Sequence, residues 1–296
     1  ECFAHVVATN VAFGSGRVLV AAGGNDFQTG NHAQSPAVDP HILTVAAVNR
    51  NRRVAFFSSQ NNAIDVSAPG TDVLTSVPTA FDEDGTPDGL TSVAGTSVSS
   101  PIVAAAATWI AQRRPQLAND QVVEAIRRSA TDLGEPGWQR STGYGLLDLK
   151  RALGQAVPAH DPKEPNDDVV GVDGTFFNPD KPIHDPHDGK RTVDARIDRL
   201  EDPADVYRVK VGAHRRVRLR LEPRFGDPDL EIYRKSATTI YSTRGRLARS
   251  ARSGTKTETI TWRNRSDRTV TIYADTFVSP RSRLLNAAYR LVVDKP

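Results

Sequence analysis

The chain has 296 residues, of which 38% are apolar and 25% charged, with 38 Lys and Arg against 35 Asp and Glu. That length points to two domains, and the apolar fraction suffices for an ordinary core in each. A single cysteine, Cys2, excludes an internal disulfide framework, and no apolar run approaches the length of a membrane span.

Charge is unevenly placed. Residues 1–150 hold ten basic and fourteen acidic side chains, whereas residues 151–296 hold twenty-eight and twenty-one, giving net charges of −4 and +7. The arginines of the second half are scattered through alternating strands and read as a solvated sheet face rather than a nucleic-acid footprint.

In chain order, Glu1 to Gly14 has apolar residues at helical spacing and lacks the basic and apolar regions of a signal peptide. The chain is therefore expected to begin inside a helix of a longer precursor, with Cys2 as buried filler. Val18 to Ala22 reads as a strand that breaks into Gly23, Gly24 and Asn25. After a polar loop, Ile42 to Val48 suits a strand buried on both faces. Arg53 to Ser59, Ile64 to Ser67 and Asp72 to Ser76 are expected as shorter strands. The loop Thr79 to Gly89 carries Asp82, Glu83, Asp84 and Asp88; its spacing is not that of an EF-hand, and it reads as an exposed acidic loop.

Gly95-Thr-Ser-Val-Ser-Ser-Pro101 then opens a small, apolar helix. Ser97 is placed at the helix N-terminus, with Pro101 expected in the first turn, where free N–H groups and the helix dipole favour an anion. Alone, this is a capping serine. Asn25 upstream can aim a side-chain N–H at a developing oxyanion, although an asparagine after two glycines also suits a turn. Further on, Pro115 ends the helix, Asn119 or Asp120 caps an amphipathic one to Ser129, and Gly143-Tyr-Gly-Leu-Leu-Asp148 leads into a last helix.

Val-Ala-Ala-Gly-Gly-Asn25, Ala68-Pro69-Gly70, Gly95-Thr-Ser-Val-Ser-Ser-Pro101 and the Gly143 to Asp148 segment form an ordered set that resembles the subtilisin-like serine peptidases from Glu1 to about Leu153. The resemblance implies Ser97 as nucleophile, Asn25 and the Ser97 backbone N–H as oxyanion donors, and Ala21, Ala22, Gly23 and Gly24 along one side of the substrate pocket. Val98, Ile102 and Val103 depart from the family's usual neighbours without removing a catalytic group. The family's Asp and His motifs are absent. His5, His32 and His41 lack a following Gly-Thr, and the other four histidines come after Ser97. The resemblance therefore implies a chain lacking the part with the signal, propeptide, Asp and His, with an incomplete parallel sheet, an apolar edge at Val18 to Ala22 and little activity alone.

The expected domains are residues 1–155, a polar linker over 156–168, and a second domain over 169–296. There Val206 to Val211, Val217 to Leu221, Leu230 to Tyr233, Glu258 to Trp262, Val270 to Tyr273 and Ala288 to Val293 alternate apolar and polar residues, which predicts an antiparallel β-sandwich. The fold class is thus α/β followed by all-β. Glu164-Pro-Asn-Asp, Asp205-Val-Tyr-Arg, Gly226 to Tyr233 and the terminal strand resemble the prepeptidase C-terminal domain, some members of which bind substrate or calcium. Glu164, Asn166, Asp167, Asp168 and Asp205 are candidate oxygen ligands for one structural Ca²⁺, although acidic caps and turn carboxylates suffice to explain the pattern; Asp227 and Asp229 read as turn residues. Two functions follow: a secreted serine endopeptidase acting on polypeptides without a required cofactor, or a non-catalytic scaffold that binds through its β-sandwich.

Overall fold

The computed structural model describes residues 3–82, 85–86, 88–161, 163–175, 181–199 and 202–296; Cys2, Glu83 and Asp84 lie outside them. Two compact units divide the chain at Glu1–His160 and Asp161–Pro296.

In the first unit, α1 (Phe3–Gly14) leads to β1 (Leu19–Ala22), β2 (Ile42–Val48) and β3 (Val66–Pro69), a parallel sheet in the order β1-β2-β3. The seven β2 residues are all buried, as an apolar run broken only by Thr44 requires of a central strand, and the Thr44 hydroxyl donates to the Ala37 carbonyl at 2.6 Å. β1 is half-buried at the sheet edge, and α2 (Thr96–Arg113) covers the sheet. Val103, Ala107 and Ile110 of α2 pack on Leu43, Val45, Val66 and Ala68, with Val122 and Ile126 of α3 (Asn119–Ser129) joining the same core. Asp148 caps the short α4 (Leu149–Ala152), accepting from Arg151 N–H at 2.9 Å.

Three local expectations change. Arg53 to Ser59 is not a strand beyond one bridge between Val54 and Val48. The Ser58 and Ser59 hydroxyls take the Ala47 and Asp26 N–H groups, so side chains replace a ladder there. The acidic loop hid β5 (Leu90–Val93), which pairs antiparallel with β4 (Val73–Ser76). Finally, Ala118 rather than Asn119 precedes α3, its N–H bonded to Gln121 Oε1; Asn119 Nδ2 instead binds the carbonyls of Phe13 and Arg17.

Gly143 has φ +60°, and a Cβ there would lie 2.0 Å from the Asp65 carbonyl oxygen. That carbonyl accepts from Tyr144 N–H, while the Asp65 carboxylate, fully buried, takes the Thr44 N–H at 2.7 Å and faces Arg127. Gly143→Ala is expected to destabilise the first unit by about 3 kcal/mol or more, because steric overlap adds to left-handed strain. A melting temperature within a degree of the parent would refute this.

The second unit is a sandwich of two four-stranded antiparallel sheets. One runs β10 (Arg246–Ser250), β9 (Pro228–Arg234), β12 (Val270–Val278), β7 (Ala204–Val211); the other runs β11 (Glu258–Arg263), β8 (Arg216–Phe225), β13 (Asn286–Asp294), β6 (Arg191–Asp198). Val209, Leu219, Leu221, Ile232, Ile260 and Leu291 fill the space between them. On the outer face of the first sheet, Val169 and Val172 of α5 (Val169–Val172) pack with Val206, Tyr233 and Tyr273. β9 is buried on both faces from Pro228 to Tyr233, with Tyr233 packed against α5 and Glu231 paired with Arg246 at 2.7 Å. Asp229 is consequently a strand residue, paired with Arg249 at 2.9 Å, and not the expected turn residue. β6 and β10 were not foreseen.

Candidate active site

Thr96 is the first residue of α2, after Gly95, so Pro101 falls in the second turn rather than the first. It therefore withholds the amide that would bond the Ser97 carbonyl, at a position where Ser97 is exposed and water can take its place. The N-terminus of α2 lies beyond the carboxyl ends of the parallel strands, where open α/β sheets present their ligand sites. The turn Ala68-Pro69-Gly70 holds it there. Ser99 Oγ, fully buried, hydrogen-bonds the Ala68 and Pro69 carbonyls at 3.1 Å each, and Gly95 N–H donates to Gly70 O at 2.9 Å.

A second set of bonds joins α2 to the loop after β1. Asn25 Oδ1 accepts from Thr96 N–H at 2.9 Å and Thr96 Oγ1 at 3.0 Å, and Gly24 N–H donates to Thr96 Oγ1 at 3.2 Å. Since the Thr96 amide can only donate, the Asn25 oxygen is identified, and its Nδ2 is the free end. Gly95, at φ +151°, leaves the space between the two groups empty. The point where its Cβ would stand is 2.9 Å from Ser97 Oγ and 3.4 Å from Asn25 Nδ2. The structure thus brings a hydroxyl, a side-chain amide donor and the Ser97 N–H to one exposed place. Among the described residues, none hydrogen-bonds Ser97 Oγ; His5 and His160 bond Ser35 and Asp120, and His41 stacks on Phe13.

Ala21 and Ala22 end β1 half-buried beside this place. Gly23 and Gly24 have a packing role of their own, for a Cβ on Gly23 would lie 2.5 Å from Ile64 Cδ1 and one on Gly24 2.8 Å from Ser59 Oγ.

Residues 3–145 match the subtilase family. This segment is 34% identical over 143 residues to the minor extracellular protease Epr of Bacillus subtilis, covering 48% of this chain and 21% of that protein. It is 35% identical over 147 residues to subtilisin DY of Bacillus licheniformis, covering 49% of this chain and 50% of that one. A crystal structure of a lanthipeptide protease is 26% identical, with a TM-score of 0.46 over 51% of this chain and 54% of its own. The chain spans half or less of the length of the two curated relatives.

Outside the subtilase segment, the second unit gathers a group of buried acids. Carboxylate oxygens of Asp161, Glu164 and Asp205 lie within 4.8 Å of one another and can hold a metal ion. Burial, reinforced by Asp167, Asp205 and Asp161, holds the Glu164 carboxyl well above the usual range. Burial likewise raises Asp202, with Glu164 and Asp205 adding to it. Asp205 is pushed up to about 8 by burial and by Asp161, against hydrogen bonds from Tyr289, Asn166 and Glu164. Asp205 Oδ1, Asp202 Oδ1 and Asn166 Oδ1 are buried without a hydrogen-bond partner among the described residues. Three orphaned hard oxygens beside repelling carboxyls are a donor set that fits a cation with oxygen preference.

Of the residues expected as ligands, Glu164, Asn166 and Asp205 are brought together. Asp168 bonds elsewhere, capping α5 through Val169 N–H and accepting from Ile240 N–H at 2.8 Å. Asp161 and Asp202 were passed over in the sequence. Their only sign was an acid three residues before Asp205 and another three before Glu164.

Proposed function

We propose that the first unit is the nucleophile-bearing part of a secreted serine endopeptidase, and that its second unit is an accessory domain of the prepeptidase C-terminal kind. The observation that carries this reading is the approach of Ser97 Oγ and Asn25 Nδ2 to the same empty point above Gly95. In this reading Ser97 Oγ adds to a peptide carbonyl carbon, the carbonyl oxygen takes the negative charge, and Asn25 Nδ2 and the Ser97 N–H donate to it. Collapse of that intermediate expels the amine and leaves an acyl-enzyme, which water hydrolyses. The proton of Ser97 goes to a general base supplied, with its carboxylate partner, by polypeptide preceding Glu1. A serine without that base is a weak nucleophile, so the 296-residue chain alone turns over slowly.

The test extends the chain with its upstream reading frame and treats both forms with a fluorophosphonate. Ser97 is expected to label in the extended protein and only weakly in the shorter chain, with Ser97→Ala abolishing labelling and casein cleavage. An extended protein that neither labels at Ser97 nor cleaves casein would sink the reading in favour of a scaffold.

We also propose that Asp161, Glu164, Asp202 and Asp205, with Asn166, hold one structural Ca²⁺. The ion would supply the positive charge that offsets the crowded carboxylates; it takes no part in catalysis.

A further inference from the structure

β11 is the outer strand of its sheet and pairs with β8 alone. In an antiparallel ladder the backbone N–H and C=O groups of alternate residues turn inward and outward. Thr259 N–H donates to Ser250 Oγ, and Asn264 N–H donates to Arg215 O beyond the end of the ladder. The parity this sets turns the N–H and C=O of Thr261 and Arg263 away from β8, at an exposed edge. An open groove of about 890 Å³ lies there, lined by His214, Arg216, Thr261, Trp262, Arg263 and Arg265.

The charge of this groove lacks an internal counterpart. Along β8, Arg218 is neutralised by Asp294 at 2.9 Å, and Arg220 approaches Glu222 and Asp294. At the end of the same row, Arg216 stands directly opposite Arg263. Like charges at facing positions of an antiparallel pair are destabilising, yet Arg216, Arg263 and Arg265 have no carboxylate partner among the described residues. The one acid at the rim, Asp267, is bonded to His214 Nε2 at 2.8 Å. Planar guanidinium groups match carboxylates in two-point geometry, and an unpaired strand edge offers main-chain hydrogen bonds to an extended chain.

We propose that the β11 edge captures an extended acidic polypeptide segment. The segment adds as a further strand against Thr261 and Arg263, and its carboxylates enter between Arg216, Arg263 and Arg265. The backbone edge favours a polypeptide over a sulfated polysaccharide, which has no main-chain amides at strand spacing to pair. The site is separate from Ser97 and stands whether or not Ser97 is catalytic.

The experiment titrates the full 296-residue chain with a short fluorescent peptide of alternating glutamate and threonine, read by anisotropy. Binding is expected to weaken with salt, and the Arg263→Glu/Arg265→Glu double variant is expected to abolish it, whereas Arg281→Glu/Arg283→Glu, with the same change in net charge, keeps it. A second arm leaves the protein unaltered and N-methylates alternate peptide residues; losing two hydrogen bonds is expected to cost about tenfold in affinity. A heparin fragment is the third arm. No binding of the peptide, an N-methylated peptide that binds as well, or heparin binding more tightly than the peptide would each overturn the proposal.

Discussion

In the extended peptidase, Asn25→Ala is expected to lower kcat by about 10²–10³-fold with KM little changed, the range that loss of the corresponding donor produces in subtilisin. The reason is geometric. In the proposed mechanism Nδ2 is aimed where charge develops only after Ser97 has attacked, so its bond would strengthen in the transition state and not in the ground state. Asn25 has a second task, however, because its Oδ1 holds both donors of Thr96. Alanine removes both. Asn25→Asp separates them: the carboxylate keeps the acceptor for Thr96, so the loop stays, but it withdraws the donor and sets a negative charge beside the oxyanion. The aspartate variant is therefore expected to melt closer to the parent than the alanine variant while being the slower enzyme. Thr96→Val, which retains Nδ2 but loses the hydroxyl bridge to Gly24 N–H, should cost about tenfold in rate, the worth of roughly one buried hydrogen bond. Steady-state kinetics on a peptide anilide check all three, and an aspartate variant faster than the alanine one would remove Asn25 from the oxyanion site.

How much of this was legible follows from where the information lies in the chain. β2 is an apolar run broken only by Thr44 and α2 a small-residue helix behind a Gly-Thr-Ser turn, so both could be read locally. Ser97 and Asn25 were paired by motif resemblance, although the bonds that join them pass through Thr96, which the sequence offered only as a capping type. Pro101 was misplaced by a turn because Gly95, lacking a side-chain cap, lets the helix start at Thr96. In the second unit the alternating strands were visible, but the burial of β9 on both faces was not, since α5, more than fifty residues earlier, packs on Tyr233, and Arg246 and Arg249 pair with Glu231 and Asp229. The same distance hid the acidic group. Asp161 falls in the polar linker read over 156–168 and Asp202 was not singled out, and only the fold sets their carboxylates against Glu164 and Asp205.

That acidic group makes stability depend on pH in the direction opposite to most carboxylates. Asp205 has a folded pKa of about 8 against 3.8 for a free aspartate, and Glu164 and Asp202 are raised as well. Asp161, Asp167, Tyr207 and Tyr289 also face the group. Between those two values the folded state holds a proton that the unfolded state has released, so the cation-free protein loses stability as pH rises from about 4 to about 8. A calcium ion at the proposed site would take the place of those protons. The melting temperature of the second unit in the full chain, measured with chelator and with excess calcium, is expected to differ little at pH 5 and most at pH 8. At a hundredfold excess over Kd, the gain is about 2.7 kcal/mol, or about 10 °C for a domain of this size. Asp202→Asn supplies the sign that a merely structural acid would not give. By removing one repelling charge it should raise stability in chelator, and by removing a ligand it should shrink the response to calcium. A melting temperature that ignores calcium at pH 8, or an Asp202→Asn variant that is weaker in both conditions, would leave the buried acids as a neutral, proton-sharing network.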